Sequence, residues 1–330
     1  MKIRRSLVAV VSVLLLGSLA PATSSATTST RHHGPCVRVL ASGLDGALGS
    51  TIGPDGALYV TEAGAGRLSR VDVHTGAVTT VASGLPERVM DLGGAMDVAF
   101  AGRTPYVLVT LVGPDVGGTS TVGLYRVDGS HTFTVVADIG AWSIAHPPVP
   151  AFVVPSGVQF ALQRVRGGFL VTDGHHNRVL KVGLRGSIRQ LVAFGNVVPT
   201  GLAVRGRQVL VAQAGPTPHL PRDGRIVSLD RRSATPRTVA AGGRLLVDVE
   251  TGPHHRFYAL SQGVWPVGNA DGSPAIPDTG RLLRARHGRF ATVVSGLDRP
   301  TSLEIVGHRA YVVTLDGHVL VVDHLDRHRR

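Results

Sequence analysis

LYVTEAGAGRLSRVD, from Leu58 to Asp72, and LVTDGHHNRVLKV, from Leu170 to Val182, are two copies of one phrase. Each is an apolar strand end, a polar residue and a glycine, followed by arginine, an aliphatic residue and a second strand. Looser copies begin at Leu108 (LVTLVG, resuming at Val122), Leu210 (LVAQAG, resuming at Gly224), Tyr258 (YALSQG, resuming at Gly280) and Tyr311 (YVVTLDGHVLVVD). A second phrase precedes each copy. It is clearest as Pro199-Thr-Gly-Leu-Ala-Val, with relatives at Leu48, Ala95, Pro155, Leu246 and Pro300, and it reads as an inner strand. A third phrase, TVASGL from Thr80 and TVVSGL from Thr292, closes the unit. Four short strands over roughly 40 to 60 residues, repeated six times, predict an all-β, six-bladed propeller of four-stranded blades. The last unit ends after three strands near Asp323, and Val37 to Asp45 (VRVLASGLD) repeats the outer-strand phrase of Thr292 to Asp298. The N-terminal strand is therefore expected to complete the last blade, with the propeller over 36–323 and a basic tail over 324–330.

The composition agrees with a packed β protein. Of 330 residues, 43% are hydrophobic and 17% charged, which excludes a disordered chain. Residues 1–26 carry Lys2, Arg4 and Arg5, an apolar run from Leu7 to Leu16, and small residues suited to cleavage after Ala22 or Ala26. That is the pattern of an export signal, and it predicts a secreted protein with a linker over 27–35. No later run approaches the roughly 20 apolar residues of a membrane span. Cys36 is the lone cysteine, so no intrachain disulfide forms, and a small hydrophobe within a strand is its expected role. Loss of Lys2, Arg4 and Arg5 lowers the formal charge from +12 to +9. The positive charge is nearly all arginine and is spread along the chain without interleaved aromatics, so no specific nucleic-acid partner is expected. A solvated exterior, with weak polyanion contact at most, is the reading of that charge.

GPDGALYVTEAG at Gly53–Gly64, VTDGHHNRVLKV, VPTGLAV and PTSLEI resemble the bacterial ScyD/ScyE family over nearly the whole chain after the signal. The blade pattern is shared with NHL-repeat propellers and, more distantly, with strictosidine synthase and gluconolactonase-type propellers. The resemblance implies a six-bladed propeller and carries no activity with it. It also implies that Asp173 with Asn177 and Arg178 holds turns and blade contacts, as the matching residues of NHL repeats do.

In such a ring, the loops entering the inner strands and those following the second strands open on one face. The long ones, Gly113–Thr121, Pro216–Asp223, Val264–Thr279 and Gly140–Val154, all fall there, bringing Trp142, Phe152 and Trp265 together as candidate apolar contacts for a ligand. Aligning the inner-strand phrase places Gly49, Asp97, Gly157, Gly201, Asp248 and Ser302 at one level of the channel, with Thr200 and Thr301 adjoining. Asp97 and Asp248 then stand opposite one another. They are candidates to anchor a polar ligand, to bind Ca2+ or another divalent cation with Glu62 and Asp173, or simply to cap backbone turns. No nucleophile elbow, zinc helix, Walker loop or dinucleotide fingerprint occurs. The expected function is binding of a small molecule, glycan or protein segment on the looped face. The alternative is a metal-assisted lactone or ester hydrolase.

Overall fold

The computed structural model describes residues 35–325 apart from 152, 234 and 271; the segment read as an export signal, most of the expected linker, Phe152 and the end of the tail lie outside the described residues. Strand β1 (Cys36–Ala41) precedes five runs of four strands and a last run of three. The first run is β2 (Ala47–Ile52), β3 (Leu58–Glu62), β4 (Arg67–Val71) and β5 (Val78–Ser83). The second is β6 (Gly94–Ala101), β7 (Thr104–Thr110), β8 (Gly123–Val127) and β9 (Phe133–Asp138), followed by a short helix, α1 (Ile139–Ala145). The third is β10 (Gln159–Val165), β11 (Gly168–Asp173), β12 (Arg178–Gly183) and β13 (Ile188–Ala193). The fourth is β14 (Pro199–Arg205), β15 (Gln208–Gln213), β16 (Gly224–Asp230) and β17 (Arg237–Gly243). The fifth is β18 (Leu246–Thr251), β19 (Phe257–Ser261), β20 (Gly280–Arg286) and β21 (Arg289–Leu297). The last run is β22 (Pro300–Val306), β23 (Arg309–Thr314) and β24 (Val319–Asp323).

Each run pairs antiparallel in chain order. The last run takes β1 as its fourth strand, paired with β24 from Cys36 opposite Asp323 to Ala41 opposite Val319. The fourth and fifth runs meet at their outer strands through one parallel bridge, Ala241 with Arg289, and so form an eight-stranded sheet. The result is all-β and propeller-like. Innermost strands touch in the order β2, β6, β10, β14, β18, β22, and β22 touches β2.

Alternating aliphatic residues fill the layers between neighbouring sheets, as expected for strands buried on both faces. Leu68, Val98, Val107 and Tyr125 fill one layer, and Leu108, Leu124, Leu162 and Phe169 the next. Leu58 and Val60 pack against Tyr311, Val313 and Val319 between the first and last runs. Fully burying one such side chain contributes about 1.5–3 kcal/mol. Polar links complement this packing. The Thr61 hydroxyl donates to the Met96 carbonyl (3.3 Å), Thr172 to that of Thr200 (2.6 Å), Thr200 to that of Leu246 (2.7 Å) and Thr301 to that of Ala47 (3.3 Å). The two remaining junctions of inner strands use Asp97 and Asp248.

Two alignments read from the sequence shift. In the second run β8 pairs Leu124 with Leu108 and Gly123 with Val109, as β4 pairs Leu68 with Thr61 and Arg67 with Glu62. The position of Glu62 is therefore taken by Val109, two residues before Leu111. In the third run the inner strand begins at Gln159, because residues 155–158 form a turn before it. Gly157 lies in that turn with φ +78°, and Ala161 occupies the inner-strand position assigned to it.

Candidate functional site

Strand register sets Gly49, Asp97, Ala161, Gly201, Asp248 and Ser302 at one level around the central channel. Asp97 and Asp248 have equivalent surroundings. Asp97 accepts from the N–H of Val98 (2.8 Å) and from that of Leu162 on β10 (2.7 Å). Asp248 accepts from the N–H of Val249 (2.8 Å) and from that of Leu303 on β22 (2.7 Å). Each carboxylate thus fastens its own inner strand to the next. The glycine before it makes room: a Cβ on Gly49 would stand 2.3 Å from an Asp97 oxygen, and one on Gly201 would stand 2.4 Å from the Asp248 Cα. The sequence Gly, Asp, Leu across three successive inner strands occurs twice around the ring of contacts.

Two residues further along the strands, the next level holds Thr51, Ala99, Gln163, Ala203, Glu250 and Glu304. Four carboxyl groups, Asp97, Asp248, Glu250 and Glu304, therefore line one channel cavity of about 70 Å3, and no Lys, Arg or His contributes to its lining. Ser50, Ser302, Thr51, Thr301, Gln163 and Gln262 supply its neutral polar groups, and Leu48, Leu92, Met96 and Phe160 form an apolar collar. The cavity holds a headgroup and not a whole organic ligand, which takes about 300–1,000 Å3.

All four acids are harder to ionise than usual. Burial is the chief cause in every case, and each keeps a partly accessible face toward the cavity. Burial pushes Asp248 up to about 7 against the bonds from Leu303 and Val249. Asp97 is raised well above its ordinary value by burial, with the charge of Asp248 adding to the effect. Glu250 and Glu304 are raised well above theirs by burial and then by their acidic neighbours. Glu250 and Glu304 are the residues that the sequence reading misses. Counting two positions on from the aligned aspartates, the period of a strand, would have found them.

The other candidates lie elsewhere. Glu62 is buried and accepts from Arg67 (2.7 Å), the Asp45 N–H (2.7 Å) and the Ser69 hydroxyl. Burial pushes it up, but these bonds outweigh that and hold it below its ordinary value. Asp173 is fully buried on Arg178 (3.0 Å), His176 (3.0 Å) and the Val158 N–H (3.2 Å). Neither lines the channel cavity. The four-carboxylate metal set of Asp97, Asp248, Glu62 and Asp173 is not assembled, and among the described residues no three His, Cys, Asp or Glu side chains gather to hold a metal ion.

Arg178 also donates to the His146 carbonyl (2.7 Å) and the Ser143 hydroxyl (3.0 Å), and so pins α1 against the third sheet. Trp142, on that helix, stacks on His146 (centroids 4.3 Å apart) and carries the Arg178 guanidinium 4.9 Å from its ring. Trp265 is 5% exposed, packed on Ala214, Leu245 and Ala275. The long loops thus lie down on their own aromatics, and Trp265 offers no ring face to a ligand. Thr200 is likewise buried and bonded between strands, whereas Thr301 lines the cavity.

No family model matches this chain, and no curated protein is significantly similar to it. Solved structures are similar in fold. A gluconolactonase from Xanthomonas campestris superposes with a TM-score of 0.60 at 11% identity, covering 88% of this chain and 89% of that one. Virginiamycin B lyase from Staphylococcus aureus gives 0.54 at 11% identity over 88% and 99%. A chain of a nidogen/laminin complex gives 0.53 at 13% identity over 78% and 84%. These likenesses span enzymes and a protein–protein complex, and at such identities they show the fold: the chain is an all-β protein of the β-propeller type.

Proposed function

We propose that this chain is an exported, six-bladed, ScyD/ScyE-like propeller whose channel binds a positively charged group carried on an apolar stem, belonging to a small molecule or a protein segment. The six-blade count is supported by the run of strands, by the division of the eight-stranded sheet at one bridge, and by the cyclic contacts of the inner strands. Closure by β1 is supported by its pairing with β24. Export is supported by the pattern of residues 1–26.

The observation that carries the binding reading is the set of four carboxyls lining one cavity with no basic residue beside them. A cationic headgroup entering past Leu48, Met96 and Phe160 supplies the missing countercharge, and the collar covers its stem. Calorimetric titration with n-hexylammonium and with n-hexanol tests this. Binding of the amine alone, accompanied by proton release and weakened at least tenfold in the Glu250→Gln, Glu304→Gln double variant, is the expected result. Equal binding of amine and alcohol, or an unchanged affinity in the variant, would refute it.

A metal-assisted lactone or ester hydrolase is the second reading, favoured by the fold likeness to the gluconolactonase. Among the described residues no three His, Cys, Asp or Glu side chains are placed to hold the metal ion it needs. A stoichiometric ion in the purified protein, with a reversible fall in melting temperature on chelation, would reverse this order of preference.

A further inference from the structure

The arginines that lie scattered in the sequence are gathered by the fold at the end of the molecule opposite the long loops. There the first strand of each run turns into the second, and the third into the fourth. In the third, fourth and fifth runs these turns and the strand residues flanking them include Arg185, Arg205, Arg232, Arg237, Arg286 and Arg289, all exposed, and one carboxylate, Asp230, paired with Arg207 at 3.3 Å. The same end of the first two runs is balanced, with Asp55 on Arg70 (2.7 Å) and Asp128 on Arg126 (2.5 Å). The basic surface is also held together as one piece. Arg205 donates to His255 of the next run at 3.1 Å, and the Ala241 N–H bonds the Gly288 carbonyl at 3.0 Å, fastening the turn of Arg286 and Arg289 to the strand of Arg237.

We infer that this face, spanning three successive runs, is a docking surface for a linear, phosphate-bearing polyanion. Guanidinium forks suit phosphate oxygens, which accept two parallel N–H bonds from one arginine. Among the described residues these turns present no exposed Phe, Tyr or Trp to stack on bases and, beyond Leu184, no large exposed hydrophobic to enter a bilayer, so the contact is with backbone charge. This inference is independent of the channel reading.

Binding of inorganic polyphosphate, measured across a salt series, tests it. The variant Arg205→Gln, Arg237→Gln, Arg286→Gln, Arg289→Gln is compared with Arg88→Gln, Arg103→Gln, Arg222→Gln, Arg281→Gln, which removes the same charge from exposed arginines on the looped side and, at Arg103, from the balanced second run. Both variants should melt as the parent does. The first should lose at least about tenfold in affinity at 50 mM salt, and its log K against log salt slope should fall by about 3, while the second changes little. Equal losses in the two variants, which would make net charge the whole effect, or salt-independent binding, would overturn the inference. So would tighter binding, through the same four arginines, to phosphatidylglycerol vesicles than to polyphosphate.

Discussion

Asp248→Asn is the most informative single change, because two effects of opposite sign act on it at different pH. The carboxylate accepts two backbone N–H bonds, and an amide oxygen replaces it at only one of them. Leaving the other N–H unsatisfied costs about 1–3 kcal/mol at every pH. Against this, Asp248 titrates near 7 in the folded protein and near 4 when unfolded, so the folded state holds its proton more tightly. With the folded value raised, the stabilisation is fully present below about pH 4 and is lost as pH rises to about 7. Three pH units amount to on the order of 4 kcal/mol. The asparagine does not titrate and escapes that loss. Urea unfolding of both proteins at half-unit steps from pH 4 to 8 should therefore show the variant less stable at pH 4. It should gain about 4 kcal/mol on the parent by pH 8, where the difference closes or changes sign. A stability difference constant across that range within about 0.5 kcal/mol would show that burial does not hold this proton, and with it the account of the channel's electrostatics would fail.

Gly201→Ala forces a Cβ to within 2.4 Å of backbone at Asp248 and should cost about 3 kcal/mol in urea unfolding, whereas Gly206→Ala, with open space around it, should show no steric penalty beyond that of its positive φ. Arg178→Ala takes the arginine from the buried Asp173, leaving it His176 and the Val158 N–H, and frees α1; a loss of about 3 kcal/mol is expected, with a red shift of tryptophan emission as Trp142 loses the guanidinium over its ring. Removing residues 1–43 leaves β24 as an open edge and should yield aggregates or dimers by light scattering; a monomer with the parent's melting temperature would contradict the pairing's importance.

Strand repeats are legible here because each unit must alternate aliphatic residues against two neighbouring sheets, and that constraint recurs in every unit. Register is less legible. In the second run the strand is apolar from Pro105 to Val109 and the loop after Thr110 opens with Leu111-Val112, so LVTLVG matches the phrase as well as YVLV does, and only pairing with β8 decides between them. In the third run the turn at 155–158 imitates the start of PTGLAV, displacing the alignment by four residues. Helix α1 escapes notice because its seven residues, IGAWSIA, are too few for a helical period to show, and it depends on Arg178 from a distant strand. The channel aspartates are legible as a level of the ring. Their bonds to the following sheet are not, since those arise from neighbours 65 and 55 residues away.

Pairing of β1 with β24 also bears on the order of events in the life of the chain. Among the described strands Cys36–Ala41 is the first to leave the ribosome, and its partner Val319–Asp323 is the last. Until Val319–Asp323 has emerged, the last sheet lacks its outer strand and the contact of β22 with β2 cannot form. The pairing that completes the last sheet therefore waits until every described strand between the two has been made. Under the export proposed above, such a delay is an advantage: the pairing that fastens the last sheet waits until the chain has crossed.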